Sequence, residues 1–272
     1  MGRAAPPERA RIAVCTDAHA NLPALRAALT AIDRLGVDAL YHTGDLIGIG
    51  PYPAECLDLL LGRPNTHCVM GNHDAWFAFG LPETRPAWMS ESEWEHQRWV
   101  HAQLDASLRS TVAAWPYALT ATVGAVAVEF VHYALKRGGR DFRAARALAS
   151  GEDADQLFGP RAARLVFYGH HHPTSDLAGA TTRYVNPGSL GCAPQPVARF
   201  AILESRPGPA YHLTLHAVRY DPAGLVAEYD RRRVPARDFI RRVFLPWAAP
   251  PHPDGTPGDL ARGDGAEAGG TA

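Results

Sequence analysis

Between residues 11 and 70, short apolar runs alternate with amphipathic stretches. "RIAVCT" (11–16), "DALYHT" (38–43) and "THCVM" (66–70) have the length of buried strands. The stretches between them read as helices. In "NLPALRAALTAIDRLG", Asn21 can cap, Pro23 is tolerated in the first turn, Leu22, Leu25, Leu29 and Ile32 share one face, and Gly36 closes the element. "PYPAECLDLLLG" is the next helix and ends at Gly62. A β-α-β-α-β order implies parallel strands covered by helices, an α/β fold.

The pattern changes after residue 75. Residues 75–115 carry Trp76, Trp88, Trp94, Trp99 and Trp115, with helical spacing through "SESEWEHQRWVHAQL", and are expected to form a helical insertion beside the sheet. Core packing or a subunit contact is the expected role of these rings, which leaves a homo-oligomer open. The second half is richer in strands. "YALTATV" and "VAVEFV" make a hairpin around Gly124, followed by "RLVFY", "RYV", "RFAILES" and "YHLTLHAVRY". Residues 1–10 read as a flexible tail, 11–247 as one domain, and 248–272, rich in Pro, Gly and Ala, as a disordered tail.

Composition narrows the function classes. With 27 basic and 28 acidic residues the net charge is -1, which gives no footprint for bulk nucleic-acid binding. No stretch approaches the ~20 apolar residues that span a bilayer, and the first residues lack the apolar core of a secretory signal. Cys15, Cys56, Cys68 and Cys192 are scattered without a CxxC pair, which fits reduced thiols and a cytoplasmic protein.

The chemistry stands where the apolar runs stop. "IAVCT" runs into Asp17-Ala18-His19, "ALYHT" into Gly44-Asp45, and "HCVM" into Gly71-Asn72-His73-Asp74. "VEFV" runs into His132, and "LVFY" into Gly169-His170-His171-His172. In sheets of this kind, sites form beyond the carboxyl ends of strands, where loops converge. Five such clusters of oxygen and imidazole donors, with no cysteine among them, point to a hard-to-borderline divalent metal site.

"DAHAN", "GDLIGIG", "GNHD", His132 and "GHHH" resemble the ordered signature of the calcineurin-like metallophosphoesterase superfamily, and "NPGS" (186–189) resembles its small bacterial phosphodiesterase branch. The resemblance spans roughly residues 11–245 and implies a four-layer αββα sandwich, two mixed β-sheets flanked by helices. It implies two divalent ions, manganese for preference with iron, zinc, cobalt or nickel as alternatives. Asp17, His19 and His172 would hold the first, Asn72, His132 and His170 the second, and Asp45 would bridge them. Asp17 and His19, like His170 and His172, are expected to alternate along extended chain, with His171 as a spacer facing away. His73 would donate a proton to the leaving oxygen or stabilise its charge, with Asp74 orienting it. Ions about 4 Å apart would supply a bridging hydroxide that attacks phosphorus in line.

Two positions depart from the pattern. Tyr133 follows His132 where glycine is usual, and Ala20 replaces the glycine after His19, so that this loop is expected to shift slightly. The other histidines, His42, His67, His96, His101, His212, His216 and His252, read as packing residues. Asn186-Pro187-Gly188-Ser189 reads as a turn. Arg137 and Arg140 read as a solvated loop with substrate contact as the alternative. The absence of an arginine after Gly44-Asp45 argues against phosphoprotein substrates. The absence of an evident arginine pair tilts the expectation towards small-molecule phosphodiesters, a nucleotide among them. Phosphomonoester or dinucleoside-polyphosphate hydrolysis is the alternative. A non-catalytic scaffold, as the related retromer subunit is, is the other.

Overall fold

The computed structural model describes residues 9–249 apart from Trp88 and Arg140. Most of the two expected tails, both of those residues and His252 lie outside the described residues. The innermost residues of the tails are docked: Ala10 donates its N–H to Ser205 Oγ at 2.7 Å, and Ala248 packs in the cluster around Leu225 and Tyr229.

The expected alternation holds over the first 70 residues. Strands β1 (Arg11–Cys15), β2 (Ala39–His42) and β3 (Thr66–Cys68) pair in parallel, with α1 (Leu22–Leu35) and α2 (Pro53–Leu61) as crossovers. Asn21 caps α1 by accepting the Ala24 N–H at 3.1 Å, and Gly36 closes it in the left-handed region. The helical segment that follows comprises α3 (Asn72–Phe79), α4 (Glu91–Ala102) and α5 (Arg109–Ala113). Phe77, Val100 and Val112 from these helices are buried in the cluster formed with α1 and α2, and Trp99 and Trp115 pack against it.

The second half builds a second sheet from the hairpin β4 (Ala118–Val123) and β5 (Val126–Val131), then β6 (Leu165–Phe167), β7 (Ser175–Ala178) and β8 (Arg183–Asn186). Its order is β4-β5-β6-β8-β7, with β5, β6 and β8 parallel. Strands β9 (Val197–Ser205) and β10 (Tyr211–Arg219) return to the first sheet, giving the order β10-β9-β1-β2-β3. Two mixed five-stranded sheets therefore face each other, flanked by helices.

Alternation within strands sorts the side chains into layers. Ile12 and Val14 of β1 meet Val126, Val128 and Phe130 of β5 between the sheets, where the Tyr41 and Phe130 rings stack at 3.9 Å. Ala13 and Cys15 face α1 and α2 instead. Helix α6 (Gly151–Phe158) covers the outer face of the second sheet through Ala154, Leu157 and Phe158. Helices α7 (Ala223–Arg231) and α8 (Arg237–Phe244) close one end beside Ile49 and Cys192.

The candidate metal centre

The parallel strands of both sheets run the same way into one cluster of loops, and the chemistry sits there. Asp17 and His19 follow β1, Asp45 follows β2, and Asn72 and His73 open α3 after β3. From the second sheet, His132 follows β5 and His170, His171 and His172 follow β6. All of the predicted positions converge except His171, whose ring lies against Tyr133 at 4.9 Å.

Extended chain is not how this convergence is reached. Asp17, His19, Asp45, His170 and His172 all have left-handed backbones, with φ of 51°, 45°, 55°, 69° and 58°. The expectation of an extended segment in both Asp-x-His and His-x-His is therefore corrected: kinked turns aim these side chains. Ala20 joins them at φ 52°, in the conformation alanine resists. Neighbouring backbones hold the kinks. Asp17 N–H donates to Gly44 O at 3.0 Å, His19 N–H to Asp45 O at 3.0 Å, and Ala20 N–H to Leu46 O at 2.9 Å. Such close approach needs glycine at the crossing, since a Cβ on Gly44 would stand 2.8 Å from Gly71 Cα.

Asp45 is the hub. Its Oδ1 accepts the His73 N–H at the start of α3 at 2.9 Å. Its Oδ2 lies 3.3 Å from His132 Nε2 and 3.9 Å from His19 Nε2. On the His132 side, Asn72 Oδ1 stands 3.1 Å from His132 Nε2 and 3.2 Å from His170 Nδ1. On the His19 side, the His19 and His172 Nε2 atoms are 2.9 Å apart, and Asp17 Oδ1 lies 3.6 Å from the first and 3.9 Å from the second.

This donor set fits divalent ions. Coordination at about 2.1 Å places adjacent ligand atoms roughly 3.0–3.4 Å apart in octahedral or tetrahedral geometry, close to the spacing here. The hydrogen-bond logic agrees. His132 Nδ1 lies 2.9 Å from Thr43 O, so it donates its proton there. Nε2 of the neutral ring then presents a lone pair to the oxygens of Asn72 and Asp45, a clash that only a proton or a cation resolves. Cys192 was not anticipated from sequence: its Sγ lies within 4.8 Å of ligand atoms of His19 and His172.

Electrostatics follow from burial among opposite charges. Burial pushes the Asp45 carboxyl up, but the surrounding histidines, His132 foremost, outweigh it and hold it well below the usual carboxylate range. Burial lowers His132, yet Asp45 and Asp17 raise it to about 9. For His170 and His172 burial and the neighbouring histidines outweigh the pull of Asp17 and Asp45, and take them to about 3 and about 4. Burial likewise takes His73 to about 3.

The role expected for Asp74 is also corrected. Its carboxylate accepts backbone N–H groups of Asp45 at 2.8 Å, Leu46 at 3.1 Å and Gly71 at 3.1 Å, and so ties the loop after β2 to the start of α3. The partner of the His73 ring is Gln97 of α4, whose Nε2 lies 3.2 Å from His73 Nδ1. Gln97 sits in the helical insertion, 24 residues away in sequence, and carries no motif. The Asn186–Ser189 turn is a clamp: Ser189 Oγ donates to Asp17 O at 2.7 Å, and Ser189 N–H to His172 O at 2.7 Å. Arg137 is exposed and lines neither of the cavities that border the cluster. The described packing histidines take no part in the donor groups. His67 stacks on Tyr41, His216 on Phe200, and His96 Nδ1 meets Pro235 O.

Two facing mixed sheets with Asp, Asn and His donors at their shared carboxyl end define a class of metal-dependent hydrolase folds. Residues 11–207 match the calcineurin-like phosphoesterase superfamily domain, and the chain belongs to that superfamily. It is 41% identical over 66 residues to an uncharacterized protein of Methanocaldococcus jannaschii, a stretch that is 24% of this chain and 27% of that relative's length. A metallophosphoesterase crystal structure from Sphaerobacter thermophilus is similar at 25% identity and a TM-score of 0.64, over 86% of this chain and 97% of that one. A hypothetical protein from Pyrococcus horikoshii OT3 shares the fold at 19% identity and a TM-score of 0.74, over 86% and 98% of the two chains. Among the described residues, no helix is long and apolar enough to cross a membrane.

Proposed function

We propose that the chain is a two-metal phosphoesterase that favours small-molecule phosphodiesters. The observation that carries this is the placement of Asp45 Oδ2 between His132 Nε2 and His19 Nε2, at 3.3 and 3.9 Å, with further donors on each side. Asp17, His19 and His172 would hold one ion, Asn72, His132 and His170 the other, and Asp45 both. The donor set suits manganese, iron, zinc, cobalt or nickel. Bound divalent ions supply Lewis acidity, neutralising phosphoryl oxygens and making water nucleophilic near neutral pH.

The chain's own residues do the rest. With the Gln97 amide donating to His73 Nδ1, the neutral His73 ring carries its proton on Nε2. A ring whose pKa burial takes to about 3 is better suited to stabilise charge on the leaving oxygen through that N–H than to surrender a proton. Asp74 fixes the loop that presents Asp45, which makes it a positioning residue. The described residues around the cluster show no pair of arginines for a monoester dianion, which favours a diester.

The test is reconstitution. Metal-stripped protein is loaded with Mn²⁺ and offered bis-p-nitrophenyl phosphate, p-nitrophenyl phosphate and dinucleoside polyphosphates. Preferential turnover of the first supports the proposal, and turnover of the monoester alone overturns the diester preference. No turnover with Mn²⁺, Fe²⁺, Co²⁺, Ni²⁺ or Zn²⁺ overturns the enzyme reading.

A further inference from the structure

A cavity of about 480 Å³ opens beside the cluster and shares His172 and Cys192 with it. Its far wall comes from the C-terminal region: Val243 and Phe244 of α8, then Pro246. Trp247 pins that wall by donating its Nε1–H to Ala193 O at 3.1 Å. The lining is mostly apolar and holds no carboxylate. Its one permanently charged group is Arg199 of β9.

Arg199 is unusual among the described arginines that are not exposed, although exposed ones such as Arg98 and Arg164 also lack a partner. Arg183 pairs with Asp176, Arg161 with Glu129, Arg232 with Glu55 and Glu228, and Arg241 with Asp230. Arg199 is half-buried, yet its side chain has no ion pair or hydrogen bond among the described residues. Leaving a guanidinium partly desolvated and unpaired costs free energy unless a ligand completes it.

Its position on the strand is also telling. Alternation puts Arg199 on the face of β9 that carries Ala201 and Leu203 into the core between the sheets. A cation at the end of that apolar face is placed at the mouth of the site, where the two sheets part. Glycine at 188 makes room for it: a Cβ there would lie 2.6 Å from Arg199 Cδ, and the backbone has φ +91°. The turn that clamps the Asp17 and His172 loops thus also seats the arginine stem.

We propose that this cavity is the subsite for one organic arm of the substrate, that the arm carries a second phosphate, and that Arg199 binds it. A planar guanidinium matches phosphate through two parallel N–H donors, and the apolar walls take the organic part. This rests on the phosphoesterase reading above and narrows its substrate to phosphodiesters with a further phosphate on one arm.

A matched pair of substrates tests it. Thymidine 5′-(p-nitrophenyl phosphate), with and without a 3′-phosphate, has the same scissile bond and leaving group and differs only in the distal charge. The wild-type protein should show a kcat/KM at least about tenfold higher for the 3′-phosphorylated ester, the scale of one charge-assisted hydrogen bond. Arg199→Leu should bring that ratio to near one, and Arg199→Lys should fall between. A wild-type ratio near one, or a ratio that persists in R199L, overturns the proposal. Misfolding or metal loss lowers both rates together and leaves the ratio intact. If neither ester is turned over, the reconstitution above decides the hydrolase reading, and calorimetry on metal-free protein decides the subsite alone. Tighter binding of thymidine 3′,5′-bisphosphate than of thymidine 5′-monophosphate, abolished in R199L, supports it; equal binding overturns it. The same titration decides the case where R199L is inactive.

Discussion

The two sides of Asp45 are built from similar donors and closed differently. On one side His132 is fully buried, its Nδ1 proton committed to Thr43 O, with Asn72 and His170 packed around its Nε2. On the other, the His19–His172 pair borders a cavity of about 480 Å³ and a cysteine. On the first side Asn72 and His170 stay half-exposed around the buried His132, and on the second Asp17 and His19 are buried and His172 reaches the cavity. The difference teaches that similar donors on either side of one carboxylate can be set in unlike surroundings, one committed to backbone hydrogen bonds and one bordering a cavity.

The largest expected effect abolishes the comparison. Asp45→Asn removes the charge common to both halves, and metal content by elemental analysis should fall together with activity, the latter by more than about a thousandfold. Metal content unchanged by this substitution would show that Asp45 is not the shared ligand that the proposed function makes it. Next comes the leaving-group side. His73→Ala should retain metal and lose about a hundredfold or more in kcat, the range of a positioned acid–base group. Gln97→Leu should lose roughly tenfold through the same ring, the low end for a residue supporting a functional histidine. Retained full activity in H73A would remove that ring from the reaction.

Proton competition sharpens the difference between the sides. In the metal-free protein His132 is protonated at neutral pH, because Asp45 and Asp17 lift it to about 9 against burial, while His172 is brought down to about 4. Ion binding at the His132 side must displace that proton, so its affinity should climb with pH up to about 9, by close to tenfold per unit. His172, brought down to about 4, has no proton to release over the same range. Calorimetry in buffers of different ionisation enthalpy reads the proton release. The same raised value implies that His132 stabilises the metal-free fold fully below its ordinary value of about 6.5, a contribution lost as pH rises through about 9. The smallest effect belongs to His171, which lines the cavity but joins none of the donor groups: His171→Ala should leave metal content unchanged and change turnover of bis-p-nitrophenyl phosphate, which has no distal phosphate, by less than about threefold.

How far the sequence carried these conclusions can be judged element by element. The buried strands were plain because both their faces meet a core, which gives unbroken apolar runs such as "IAVC" and "LVF". The donors were plain because those runs stop abruptly at Asp, Asn or His. Strand β7 was missed: "SDLA" is a four-residue edge strand with every second side chain exposed, and so carries almost no apolar signal. Helix α6 was missed although Ser150 and Asp153 form a capping box at its start, a signal that could have been read. Backbone hand was misjudged, since spacing of two suggests extension until the crossing loops are known. Gln97, Cys192 and Arg199 were out of reach for a different reason. Each acts across the fold, on partners that only the docking of α4, the second sheet's loops or α8 brings near.

Assembly across the whole fold bears on how the protein matures. Asp17 and His172 are separated by most of the chain, and their side chains meet only once both five-stranded sheets have closed on one another. Contacts of such long sequence separation form late and slowly. A divalent ion therefore recognises the finished fold and has little to hold in any partly assembled form. By mass action it draws the population towards completion, adding stability as RT ln(1 + [M]/Kd). On the proposed two-metal reading, metal supply in the medium would then act as quality control on folding as well as a condition for chemistry.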